Sequence, residues 1–133
     1  MSSKSFAAVE QLESRNLLSA LPTVDAVDIS QPAVVAYKPF TVLVEASDDV
    51  AVRGVSMFMD LNDDARWDPL VDRPLGDRFQ RNPQGKFEFN FIPDGSWPQW
   101  VRIYADAVDD EGQWAGGIRG QLIVPTGMPI VTM

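Results

Sequence analysis

Between Lys86 and Phe91 the chain reads Lys-Phe-Glu-Phe-Asn-Phe, with every second residue a phenylalanine and the others polar. A period of two puts all three rings on one side of an extended strand and leaves the other side for water. An α-helix, at 3.6 residues per turn, would scatter them around its circumference. The pattern recurs. Phe40, Val42, Val44 and Ala46 share a parity, as do Val101, Ile103, Ala105 and Ala107 against Arg102, Tyr104 and Asp106. Ile118, Gly120, Leu122 and Val124 repeat it less cleanly. One-sided burial of this kind predicts antiparallel sheet packed on a single core.

Strands are expected near 24–30, 39–47, 52–60, 74–79, 86–92, 100–108 and 117–125. Turn-forming clusters divide them: Asp48-Asp49, Asn62-Asp63-Asp64, Pro83-Gln84-Gly85, Pro93-Asp94-Gly95 and Asp110-Glu111-Gly112. These spacings leave no room for helical crossovers between parallel strands. Seven short strands in about 100 residues predict an all-β fold, an immunoglobulin-like antiparallel β-sandwich. Its limits are set at residues 22–126. Residues 127–133 form a C-terminal tail, and Pro22 separates the sandwich from an N-terminal segment, 1–21. There Val9, Leu12, Leu17 and Leu18 approximate a helical stripe, so that segment is expected to be helical or disordered.

Two resemblances follow from these residues. The phrases Ala46-Ser47-Asp48-Asp49, Val52 to Asp60, and Ala105 to Gly112 resemble bacterial immunoglobulin-like repeats of large cell-surface proteins. Leu12-Glu13-Ser14-Arg15-Asn16-Leu17-Leu18-Ser19-Ala20 resembles the LEPR-XLL motif near the start of many planctomycete surface or exported proteins, with Ser14 where the motif has Pro. The resemblance implies an extracellular or cell-surface location.

Among its 133 residues the chain has neither Cys nor His. This excludes disulfides, cysteine nucleophiles, thiolate or imidazole metal sites and histidine-based triads. With 11 basic and 19 acidic side chains the net charge is −8. Lys4, Arg15, Glu10 and Glu13 cancel within the first 21 residues, so the whole excess lies in the sandwich. Such a surface repels phosphate backbones, and no nucleic-acid partner is expected. No stretch of about 18 apolar residues offers a transmembrane segment.

In the sandwich so drawn, loops 61–73 and 93–99 share one pole, and loops 48–51 and 109–116 share the other. The second pole gathers Asp48, Asp49, Asp109, Asp110 and Glu111, best read as surface charge. The first contains Asp60-Leu61-Asn62-Asp63-Asp64-Ala65-Arg66-Trp67-Asp68, in which D-x-N-x-D supplies three side-chain oxygens on a tight turn. Asp68 and Asp72 could extend the set, making calcium the implied cofactor and Asp60, Asn62, Asp64, Asp68 and Asp72 its candidate ligands. Ala65 stands where an EF-hand has Gly and Val71 where it has Glu, so a helix-flanked EF-hand is rejected. The alternative is a solvated turn whose acids bond to nearby backbone amides.

Trp67, Trp97 and Trp100 map to the same pole as Asp94. Together they are the candidate ligand-binding residues, since indole faces beside carboxylates suit stacking on sugar rings. Trp100 and Trp67 are expected to plug the open end of the sandwich, and Trp97, between Ser96 and Pro98, to be exposed. A pair such as Asp68 and Asp94 could serve glycoside hydrolysis only with a raised pKa that exposed turns do not supply, so no enzyme is expected. The chain reads as a non-catalytic structural or adhesive surface module with other surface proteins or polysaccharide as partners. The alternative is a calcium-dependent carbohydrate or protein binder using loops 60–72 and 93–100.

Overall fold

The alternating stretches become seven strands: β1 (Thr23–Ile29), β2 (Phe40–Ser47), β3 (Val52–Asp60), β4 (Arg73–Arg78), β5 (Phe87–Phe91), β6 (Val101–Asp109) and β7 (Arg119–Ile123). The structure, a computed structural model, describes residues 20–115 and 117–127. The expected N-terminal segment 1–21 therefore lies almost wholly outside the described residues, as does most of the tail. No helix among the described residues is long and apolar enough to cross a membrane.

The pairings between these strands are all antiparallel, in two sheets of order β1-β2-β5 and β4-β3-β6-β7. The fold is the expected all-β sandwich. β4 stands at the edge of the second sheet, paired to β3, and β1 and β5 form the edges of the first. Between the sheets, Phe40, Val42, Val44, Phe87 and Phe89 from one side meet Val55, Met57, Met59, Ile103 and Ala105 from the other, all buried.

β7 corrects one expectation. Its apolar parity, Leu122 and Val124, faces outward and is about half exposed, while Gln121 and Ile123 pair with the inward residues Ile103 and Val101. The reason is the neighbouring edge strand. Arg119 Nε donates to Val24 O (2.8 Å) and Gln121 Nε2 to Val27 O (2.6 Å), serving carbonyls of β1 around its bulge. On the opposite side Arg78 Nε donates to Glu88 O (3.0 Å), joining β4 to β5. Side-chain bonds thus stitch both open flanks of a sandwich whose sheets do not close. The outward parity of β7 also explains Gly120, because a Cβ there would collide with Ile103 O and lie 2.6 Å from Tyr104 Cδ1.

Candidate functional site

The connection between β3 and β4 runs from Asp60, the last residue of its strand, to Asp72, just before the next. These two carboxylates are 3% and 6% exposed, and with the exposed Asp64 they bring oxygens within 4.8 Å of one another. The chain holds them there through its own amides. Asp60 Oδ2 accepts from Ala65 N (2.8 Å), and Asp72 accepts from Leu61 N at Oδ1 (2.9 Å) and Asp68 N at Oδ2 (2.8 Å). Asp64 Oδ1 accepts from Arg66 N (3.0 Å). Such a wrap needs left-handed backbone at Asp63 (φ 56°) and Ala65 (φ 59°). Ala65 thus adopts the conformation that glycine supplies in a calcium loop, at a steric cost of about 1–2 kcal/mol.

Asn62 sits between two of the acids, with one polar atom of its amide 2.9 Å from both Asp60 Oδ1 and Asp64 Oδ1. With its nitrogen inward, that amide donates to both carboxylates. With its oxygen inward, it adds one more hard ligand to the group. Asp68 is not one of the three converging acids: its Oδ1 accepts from Leu70 N (3.0 Å), and its carbonyl takes the amides of Val71 and Asp72. The nearby cation, Arg102, binds Asp63 at 2.6 Å, and this bond raises the guanidinium pKa. Among the described residues neither Asp60 nor Asp72 has an ion-pair partner. Burial, with Asp60 second, pushes the Tyr104 phenol up.

The tryptophans invert the expected assignment. Trp97 is 7% exposed and packs edge-on against Phe40 (5.9 Å between centroids) and tilted against Phe91 (6.2 Å). It is the plug. Asp94 accepts from Ser96 N (2.8 Å) and Ser96 Oγ (2.5 Å), and its carbonyl takes Trp97 N; this turn throws the indole into the open end of the sandwich. The Ser96 bonds also lower the Asp94 pKa, with help from Arg73. Trp67 and Trp100 are instead about half exposed: Trp67 lies edge-on to Phe58 (5.2 Å), and Trp100 lies beneath the Arg102 guanidinium (5.9 Å). Arg73 Nη1 donates to Ser96 Oγ (2.9 Å), so loops 61–72 and 93–99 do share a pole.

At the other pole Val52 pairs with Asp109, bringing the two expected loops together. Asp48 Oδ2 accepts from the amides of Val50 and Ala51, and the buried Asp109 from those of Glu111 and Gln113. These acids shape turns. Sequence reasoning missed a different feature, a recess on the outer face of the four-stranded sheet between Trp67 and Trp114, floored by Phe58. Its signal was present, since Phe58 shares the outward parity of Ser56 between the inward Met57 and Met59. No protein-family model matches the chain, and no curated protein matches it significantly.

Proposed function

We propose that the chain is a non-catalytic interaction module of the cell surface or extracellular space, whose β3–β4 loop is ordered by Ca²⁺. One observation carries the metal: two buried carboxylates and a third converge, and among the described residues none of the three is ion-paired, the Arg102 guanidinium being bound to Asp63 and acting on Asp60 only at longer range; such a grouping is costly unless a cation is supplied. Asp60, Asp64 and Asp72 would hold the ion and Asn62 would lend its amide oxygen. Each bonded carboxylate oxygen retains lone-pair capacity beyond the amide it accepts. The ion would supply charge balance and fix the loop that carries Trp67.

The non-catalytic reading is supported by the acids themselves. Asp68 is engaged by a backbone amide, and Asp94 is held below the ordinary carboxylate range, opposite to what a general acid needs. The surface location rests on the LEPR-XLL-like segment Leu12–Ala20 and the surface-repeat phrases, with surface proteins or polysaccharide as partners. Thermal unfolding in EDTA, Mg²⁺ and Ca²⁺ tests the metal. At 100 times its dissociation constant Ca²⁺ should add roughly 2.7 kcal/mol, a rise in Tm of about ten degrees, absent with Mg²⁺ and in Asp72→Asn. An unchanged Tm in Ca²⁺ would leave the loop as a metal-free turn and sink this part of the reading.

A further inference from the structure

We propose that the recess between Trp67 and Trp114 binds an alkylated ammonium group. It lies on the outer face of the four-stranded sheet, with a volume of about 380 Å³, within the usual small-ligand range of roughly 300–1,000 Å³. Phe58 forms the floor, and the two indoles, each 47% exposed, form walls contributed by different loops. Trp67 comes from the β3–β4 loop and Trp114 from the β6–β7 loop, where it bridges back to Val108. Beside these rings two carboxylates enter the recess. Asp77 on β4 and Asp106 on β6 both stand in register with Ser56 on β3, so acid, hydroxyl and acid form one row across three strands.

Both charged side chains that line this recess, Asp77 and Asp106, favour positive charge. Aromatic faces carry negative quadrupole potential, and the two carboxylates add formal charge of the same sign. The lining hydroxyl, Ser56 Oγ, already donates to Asp77 Oδ1 at 2.6 Å and offers no free proton to a sugar oxygen. No lining side chain is cationic. Arg78, next to Asp77 in sequence, turns away over the Phe89 ring (4.9 Å) and onto Glu88 O. Asp106 Oδ1 accepts the amide of Ala107 (2.9 Å) and no cation among the described residues pairs with it. Burial raises the pKa of that carboxyl, against the opposing pull of the Ala107 and Ala115 amides. Alkyl groups on the nitrogen suit the rings and weaken hydration of the charge, so a quaternary ammonium fits better than a bare one.

The ammonium could belong to a free small amine or to a methylated lysine of a protein partner, and the same titration separates the two. The probes are choline, its uncharged carbon isostere 3,3-dimethylbutan-1-ol, and a short peptide carrying trimethyllysine. The readout is the four tryptophan indole N–H resonances of the ¹⁵N-labelled full chain, recorded in EDTA and again in Ca²⁺. Choline should shift the Trp67 and Trp114 resonances saturably and leave the core resonance of Trp97 in place, while the isostere should not. Trp114→Ala should weaken binding about fivefold and Asp106→Asn several-fold, with the Trp97 resonance reporting that each variant is folded. Tighter binding of the peptide would assign the source to a protein partner, and tighter binding of choline to a free amine. No saturable shift with either cation in either buffer would overturn the proposal, as would equal binding of the isostere. A loop that proves metal-free would leave it standing, because the recess is titrated without calcium as well.

Discussion

Two aromatic clusters flank the four-stranded sheet, and their ring separations are nearly the same. Between the sheets Phe40 lies 5.7 Å from Phe91 and 5.9 Å from Trp97; on the outer face Phe58 lies 5.2 Å from Trp67 and 5.7 Å from Tyr104. What separates them is their surroundings. The inner rings are enclosed by the opposing sheet, whereas the outer ones are covered only by half-exposed indoles and bordered by Asp77 and Asp106. Ring packing alone therefore does not distinguish a core from a site. Unneutralised charge at the edge of the rings does.

The two clusters should differ in their importance to stability. Phe89→Ala removes a ring with no exposed surface from the centre of the core, and urea unfolding should show a loss of about 3–5 kcal/mol. Phe58→Ala should cost less, about 2 kcal/mol, because the indoles and Tyr104 above it can settle into the gap. A Phe58→Ala loss equal to that of Phe89→Ala would mean that the outer cluster is a second core. Gly120→Val probes the same outer face at its far edge. Its Cβ would displace the Tyr104 ring and crowd Ile103 O, for a loss between these two, about 2–3 kcal/mol. An unchanged midpoint would show that Tyr104 moves freely and that the stack on Phe58 is dispensable.

The inner cluster was legible in the sequence because alternation is a backbone property: once Phe87, Phe89 and Phe91 share a face, the core follows. The parity of β7 was not, since hydrophobicity chose Leu122 and Val124, while the decisive contacts were hydrogen bonds from Arg119 and Gln121 to another strand. Trp97 misled for a similar reason. Proline and serine neighbours suggested exposure, but the Asp94–Ser96 turn aimed the indole inward. The acidic loop was legible as a group, through the spacing of Asp60, Asn62 and Asp64 and its continuation to Asp72. Asp68 was not separable from them, because its amide bond to Leu70 depends on a local turn. The recess needs three strands in register and two loops, which no single stretch of sequence contains.

Ala65 sharpens the contrast between a loop under constraint and the relaxed strands beside it. Ala65→Gly relieves the left-handed alanine and should stabilise the fold by about 1 kcal/mol, the gain in backbone comfort exceeding the added freedom of the unfolded chain. The midpoint of urea unfolding would rise with its slope unchanged. A loss of stability would mean that Ala65 makes contacts worth more than its strain.

The smallest effect separates two carboxyls of opposite sign. Asp94, fully exposed and bonded to Ser96, has its folded pKa below the ordinary 3.8. It contributes stability that is present above 3.8 and lost as pH falls through its folded value. Asp106, partly buried in the recess, has its folded pKa above 3.8. The native state then binds its proton more tightly than the unfolded chain, so its cost appears as pH rises through the window from 3.8 to the folded value and vanishes below it. Unfolding free energies measured across the carboxylate range should therefore respond oppositely to the two substitutions. Asp94→Asn should flatten the acid-side loss, and Asp106→Asn should remove a term that favours acid, making the remaining decline on acidification steeper. Choline, if it fills the recess, should draw the Asp106 pKa downward by supplying the missing counterion. A carboxyl of Asp106 that titrates at its ordinary value, with or without choline, would mean that water already compensates its charge and that the outer cluster differs from the core only in exposure.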